Sequence, residues 1–481
     1  MYQNISLSLH TDLYQLTMAY GYWKSGMKDT EAVFHLFFRK HPFKGGFTIA
    51  CGLARAIDLM KRFSFTKEDI AYLSTLTGNN GKPLFDHEFL QYLAQMKFEC
   101  SVAAIPEGNI VFPHQPLIRL RGPIIQCQIL ETTLLNLINF ETLIATKAAR
   151  ICLAAKGEAV LEFGLRRAQG IDGGLSASRA AYVGGCAATS NVLAGKHFGI
   201  PIKGTHAHSW VMSFPSEEQA FHAYAKAMPN NCVFLVDTYD TIEGVKEAIK
   251  QAIWLRERGF EMVGIRLDSG DLAQLSIEAR KLLDQAGFPN AAIVASDSLD
   301  EYKITKIKER GGTINVWGVG TRLATAYDQP ALGGVYKVAA LRDNPNEPWQ
   351  YKVKLSENII KVSNPGIQQV RRFFNEEGWV ADMIYNQAEP TDNTHIALSD
   401  TEQIDCSNLS YKELLVPIFE QGKLVYEIPS VHESRNLTIA QLASFPHTYK
   451  HLTAPKQYPT GLEANLYTYK KALVKKLSKK S

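Results

Sequence analysis

Between Ile151 and Tyr336 the hydrophobic pattern has one repeating texture. Short apolar runs rich in β-branched residues recur roughly thirty residues apart: VLEFGLR, IKGTHAHSW, CVFLVDTYD, MVGIRLDSG, AIVASDS and INVWGVGT. Between them lie amphipathic stretches such as SEEQAFHAYAKAM, TIEGVKEAIKQAIWLRERG and LAQLSIEARKLLDQAG, with apolar positions three and four apart. Apolar strands alternating with amphipathic helices predict a parallel sheet, closed or open, and the regular βα spacing favours a barrel.

The flanking segments read differently. Before the repeats, the pattern predicts a helix starting after Thr11-Asp12, a strand in EAVFHLFFRK, a helix around Ala54 to Phe63 and strands in NIVFPHQPLIRLRGP. The stretch QILETTLLNLINFETLIATKAARI, free of proline, predicts a long buried helix. After the repeats, KLSENIIKVSNPGIQQVRRFF carries strand-like pieces around an Asn364-Pro365-Gly366 turn. The expected organisation is an N-terminal α+β domain over 1–130, the barrel over 131–339, and a C-terminal α+β portion over 340–481 that packs back on the N-terminal one.

Polar residues gather where each apolar run ends. In order they are Arg166 with Arg167, His206 with His208, Asp237 with Asp240, Arg266 with Asp268, Ser296 with Asp297, and Gly320 with Thr321. The C-terminal strand ends of a β/α barrel converge on one mouth, where its chemistry sits. One charged residue after a strand is ordinarily a helix cap or a solvated loop residue. Six consecutive strand ends obeying the rule argue for a site.

Composition narrows the class. With 46% hydrophobic and 21% charged residues the 481-residue chain is an ordinary globular protein, and a net charge of +4 is too balanced for a nucleic-acid footprint. Seven scattered cysteines without a CxxC suit neither a disulfide framework nor a zinc site, which predicts a cytoplasmic protein. No apolar run approaches the about 18 residues of a membrane span, and MYQNISLSLHTDLYQ lacks the layout of a signal peptide. The basic tail KKALVKKLSKKS reads as the last turn of a surface helix with a frayed end.

The mouth therefore combines arginines, three carboxylates (Asp237, Asp268, Asp297), histidines and a glycine-flanked GVGT turn suited to phosphate. Carboxylates in such a site hold Mg²⁺ on a pyrophosphate, bind ribose hydroxyls or steady a cationic transition state; a sugar phosphate with a leaving group suits all three. On an extended strand His206 and His208 share a face, so they can bind a metal, carry a proton or phosphoryl group, or fill a core. A metal-dependent hydrolase needs further ligands from later strands, and no later strand has a histidine. The acids of VDTYDT, two residues apart, match poorly the adjacent pair of open-sheet phosphoribosyltransferases.

The motifs TDLYQLTMAYGYW, LEFGLRRAQGIDGGLSASRAAYVGG, SNVLAGKHFGIP, GTHAHSW, LVDTYDT, GIRLDSGDL and GVGTRLATAYDQPALGGVYKV together resemble the nicotinate phosphoribosyltransferases. The resemblance is collinear from Thr11 through Pro365-Gly366. It implies an α/β fold, an irregular TIM-like α/β barrel packed against an α+β domain built from both chain ends, and a head-to-tail homodimer with shared active sites. The implied reaction takes nicotinate, phosphoribosyl pyrophosphate, ATP and water, with Mg²⁺, to nicotinate mononucleotide, pyrophosphate, ADP and phosphate. By motif, His208 corresponds to the histidine that ATP phosphorylates and Asp237 to the acid that orients it. Tyr14 and Phe163 correspond to the aromatics around the pyridine ring, Tyr14 reaching across the dimer. Arg266 and Thr205 fall near the nicotinate, Arg166 near pyrophosphate or the ring pocket, and Asp268 near the ribose hydroxyls. Ser296, Gly320 and Thr321 fall at the 5′-phosphate, with Asp297 beside them at the mouth, while Lys361 either adds charge near the phosphates or is an exposed strand lysine. His206 is not a motif residue and reads as packing.

Two rivals remain. Nicotinamide phosphoribosyltransferases carry an acid in the segment corresponding to Gly184–Asn191, which here has none. A metabolite sensor that kept the fold without catalysis has no reason to keep every strand-end residue.

Overall fold

The structure, a computed structural model, describes residues 7–358, 361–391 and 394–478. The chain divides into two compact units: Met1–Leu143 with Ala331–Ser430 and Ala440–Ser481, and Ile144–Pro330 with Val431–Ile439.

The first unit interleaves strands from both chain ends. A seven-stranded antiparallel sheet runs in the order Gln350–Tyr351, Gly334–Arg342, Glu31–Phe38, Ile118–Pro123, Ser101–Ala104, Val416–Glu420 and Lys423–Leu424. Its strand Glu31–Phe38, EAVFHLFF, is buried at every position after the first, so the run is apolar on both faces instead of alternating. A second sheet is built around the hairpin Gln368–Asn375 and Gly378–Asn386. Within it Arg372 is fully buried and pairs through two nitrogens with the equally buried Asp382, at 2.8 and 2.7 Å. The helix Ala464–Ser478 ends on Lys475 and Lys476, as the basic tail predicts; the expected frayed end at 479–481 lies outside the described residues.

The second unit holds six parallel strands in the order Ala188–Thr189, Ala159–Glu162, Val316–Val319, Ala292–Ala295, Gly264–Leu267 and Val233–Leu235. Helices over Thr241–Arg256, Leu272–Gln285 and Glu301–Glu309 follow strands and bury one face each, as the period of the sequence requires, while Gly170–Val183, which also follows a strand, is buried on all sides from Ser176 onward.

The run IKGTHAHSW corrects the sequence reading. It forms no strand: Ile202 makes a single parallel bridge to Thr189, and the chain then runs irregularly to a short helix beginning at His208. The segment nevertheless spans the sheet's two edges. Thr189 donates to Pro201 C=O (3.0 Å) and accepts from Lys203 N–H (3.1 Å), while the N–H of Leu235 on the opposite edge strand donates to Nε2 of His206 (3.2 Å). A histidine side chain thus supplies a bond that a strand backbone would make in a regular barrel. Among the described residues no helix is long and apolar enough to cross a membrane.

Candidate active site

Arg266, on the strand Gly264–Leu267, is the hub of the mouth. Its Nε donates to Ser296 Oγ at 2.8 Å, Nη1 to Thr205 Oγ1 at 3.0 Å and Nη2 to Asp268 Oδ1 at 2.8 Å. Its guanidinium carbon lies 5.9 Å from the centroid of the Phe163 ring. One planar group therefore ties together three strand ends and the irregular segment. Phe163 itself fits because residue 318 is glycine: a Cβ there would stand 2.7 Å from its ring.

Carboxylates surround His208. Asp237 is nearly fully buried, and its Oδ2 accepts from Asp268 N–H (2.9 Å) and the Ser269 hydroxyl (2.6 Å). Its Oδ1 is buried without a hydrogen-bond partner and lies 3.9 Å from His208 Nε2. Asp268 Oδ2 stands 3.7 Å from the same nitrogen. Both distances exceed a hydrogen bond; the direct partner of the imidazole is Thr238, whose Oγ1 is 3.1 Å from Nδ1. Burial pulls the Asp268 carboxyl upward, but the Ser296 hydroxyl and the Arg266 charge outweigh it and hold it below the ordinary carboxylate value.

The two histidines are not equivalent. His206 is buried, packs edge-on against Tyr224 with centroids 4.7 Å apart, and accepts from Leu235 N–H through Nε2, which leaves the ring proton on Nδ1 toward Ala207 C=O. Burial lowers its pKa to about 4. His208 stays open to solvent at the start of its helix. The shared face expected of an extended strand is absent, and the pair cannot serve as two ligands of one metal.

At the remaining strand ends, Asp297 and Ser298 take left-handed backbone angles (φ 89° and 51°), and Asp297 pairs with Lys303 at 3.0 Å. Gly320 precedes a helical turn beginning at Thr321. Arg166 is exposed in the turn Leu165–Arg167 and has no ion pair among the described residues. Tyr14 belongs to the other unit, on the helix Leu13–Lys24, with 48% of its surface exposed. Lys361 is also exposed in that unit.

Four participants escaped sequence reasoning. Thr238 and Ser269 sit inside the DTYDT and LDSGDL motifs, where a hydroxyl beside an acid was the available signal. Glu162, the one acid in an apolar strand and the residue before Phe163, is buried and accepts from the amide of Gly164, Ser178 Oγ (2.9 Å) and Thr189 Oγ1 (2.6 Å). Glu217 gave no signal. Its Oε1 is buried without a partner, and burial, then Glu247, Asp237 and Asp240, push its carboxyl up to about 7.

Among the described residues one set of three potential metal ligands converges, Cys51, Glu107 and Glu141 in the first unit. Glu107 there already accepts the amides of Gly52 (2.7 Å) and Ala54 (3.3 Å) at a helix start, and Glu141 lies 3.5 Å from Arg55, so both charges are answered by protein.

Residues 9–139, 159–348 and 367–470 match, in turn, the family models described as the nicotinate phosphoribosyltransferase N-terminal domain, family and C-terminal domain. The nicotinate phosphoribosyltransferase of Bacillus subtilis (strain 168) is 40% identical over 487 residues, covering 98% of this chain and 95% of that protein. That of Dictyostelium discoideum is 37% identical, covering 95% and 87%. The crystal structure of human nicotinic acid phosphoribosyltransferase superposes with a TM-score of 0.84 at 32% identity, covering 96% of this chain and 99% of the human one. Full-length likeness in sequence and fold leaves one assignment: the chain belongs to the nicotinate phosphoribosyltransferase family.

Proposed function

We propose that the barrel unit transfers phosphoribose from phosphoribosyl pyrophosphate to nicotinate, coupled to ATP through a phosphohistidine at His208. The observation that carries this reading is the convergence of Asp237, Asp268, Arg266 and Ser296 at adjoining strand ends with Thr205 and His208 of the irregular segment. The pyridine nitrogen attacks the anomeric carbon, the bond to pyrophosphate breaks, and positive charge builds on the ribose ring. Phe163 stacks on the pyridine, and Arg266 with Thr205 takes its carboxylate. Asp268 accepts from the ribose hydroxyls. Ser296, Asp297, Gly320 and Thr321 hold the 5′-phosphate end, and Arg166 the pyrophosphate.

The Thr238 contact orients the imidazole of His208, and Asp237 balances positive charge on it from 3.9 Å. Phosphorylation removes the terminal phosphoryl group of ATP, and hydrolysis of phosphohistidine returns phosphate and free imidazole. In this reading ATP reorganises the mouth and drives the binding cycle while leaving the bond-forming step unchanged. A Mg²⁺ ion would neutralise pyrophosphate charge, and the unpartnered Oδ1 of Asp237 is a hard oxygen donor suited to it.

The reading includes a head-to-tail homodimer in which Tyr14 of the partner subunit completes the ring pocket. Its support is apolar surface left uncovered: Leu13 and Tyr14 on one helix, and Ile171, Val192, Met212 and Tyr239 after the barrel strands, are 48 to 70% exposed. The test is to mix protein, Mg²⁺, nicotinate and phosphoribosyl pyrophosphate with and without ATP and follow mononucleotide formation. Nicotinamide serves as the rival substrate, and light scattering reports the mass. Equal turnover with nicotinamide, or a His208→Ala protein that keeps ATP-stimulated turnover, overturns the reading.

A further inference from the structure

The first unit contains a cavity of about 480 Å³ that the transfer reaction does not use. Its floor is the seven-stranded sheet, where Arg119 and Arg121 sit two apart on Ile118–Pro123 and so face the same way, opposite Ala103 and Ser101. Trp349, Ile367 and Phe419 supply apolar wall.

The charges around it do not balance. Glu31 is shared by Arg121 (2.6 Å) and Arg342 (2.5 Å), and both guanidiniums lie against the Trp349 ring, at 5.4 and 4.4 Å. Arg119 has no carboxylate within ion-pair distance among the described residues. It donates only through Nη1, to Gln368 C=O (2.9 Å) and Gln387 Oε1 (2.7 Å). Burial, and after it Arg121, push the Arg119 guanidinium down to about 10, against a smaller upward pull from Tyr385 and Glu413. The one acid among the lining residues, Glu420, is exposed to solvent. A cavity of this size, with a cationic wall, an aromatic wall and the amides of Gln369 and Gln387, has room and anchoring groups for a small molecule.

We propose that this cavity binds a small organic anion, a carboxylate or phosphate carried on a flat ring, with Arg119 and Gln387 taking the anion and Trp349 the ring. The guanidinium's unused donors give the anion a planar two-pronged partner. Neither the assignment of the reaction nor its residues enter this inference.

Trp349 makes the test local. Full-length protein is titrated with benzoate, adenosine 5′-monophosphate and inorganic phosphate while tryptophan fluorescence is followed, in the wild type and in Trp349→Phe, Arg119→Gln and Gln387→Leu. The expected result is a saturable change with benzoate, with the nucleotide or with both. It is absent in Trp349→Phe and at least about tenfold weaker in Arg119→Gln. Benzoate alone identifies a carboxylate ligand, the nucleotide alone a phosphate one. Saturation of neither, a response surviving in Trp349→Phe, equal affinity in Arg119→Gln, or an equal response to inorganic phosphate each overturns the proposal. If Arg119→Gln does not fold, Gln387→Leu reads the same anion contact without touching the guanidinium's bond to the backbone.

Discussion

Oδ1 of Asp237 faces Nε2 of His208 across 3.9 Å with no hydrogen-bond partner of its own, while Oδ2 of the same carboxylate is held by Asp268 N–H and the Ser269 hydroxyl. One half of the carboxylate is anchored and the other is left aimed at the imidazole. A buried oxygen in that condition costs free energy unless something in the working cycle answers it, and a charged histidine or a cation does so.

Asp237→Asn keeps the anchoring bonds within reach but removes the negative charge, so ATP-stimulated mononucleotide formation falls by on the order of 10²-fold. Acid-labile phosphate on the protein after incubation with ATP falls with it. Unchanged phosphate incorporation would show that Asp237 does not act on His208.

Arg266 reaches three side chains through three nitrogens, a geometry an ammonium cannot reproduce. Arg266→Lys therefore lowers kcat/KM for nicotinate by roughly 10- to 100-fold, whereas Thr205→Val, which removes one of those contacts, costs about tenfold or less. Steady-state kinetics on both variants checks the ranking.

Glu162 is a buried acceptor of three donors, two of them on the helix Gly170–Val183 and the strand Ala188–Thr189. An amide at that position would turn an N–H₂ toward at least one donor, so Glu162→Gln destabilises the fold by about 2–4 kcal/mol in chemical denaturation. It also raises KM for nicotinate more than it lowers kcat, because Phe163 is the next residue. Thr189→Val, which removes one donor and leaves the carboxylate two, costs about 1 kcal/mol.

Stability should respond to pH in two opposed ways. His206, with a folded pKa of about 4 against an ordinary 6.5, is neutral in the fold, so its contribution is intact above about pH 6.5 and is lost as pH falls toward 4. His41, held at about 3 by burial, acts in the same direction. Glu217 runs the other way: its folded value of about 7 against 4.5 means that stability is lost as pH rises from 4.5 through 7. Glu217→Gln should therefore raise Tm at about pH 8 and change it little near pH 4.5, measured by thermal melts at both.

The alternation of apolar runs and amphipathic helices, and the placement of polar residues at the ends of those runs, determined by themselves that this is an α/β protein with one mouth of chemistry. These features rest on periodicity and on chain direction, which are local. The sequence also carried the family, through motifs spread along the whole chain. The motif assigned His208 the phosphoryl role and His206 a packing one, but the spacing of the two gave no physical reason for the difference. Two residues apart on a presumed strand they look alike, and only the packing of Tyr224 and the N–H of Leu235, both distant in sequence, draws one ring inside. The partner of His208, the anchoring of Asp237 by Ser269 and the network around Glu162 were decided in the same way. Each depends on bonds between segments distant in sequence, and which donor meets which acceptor is set by how the sheet brings those segments together.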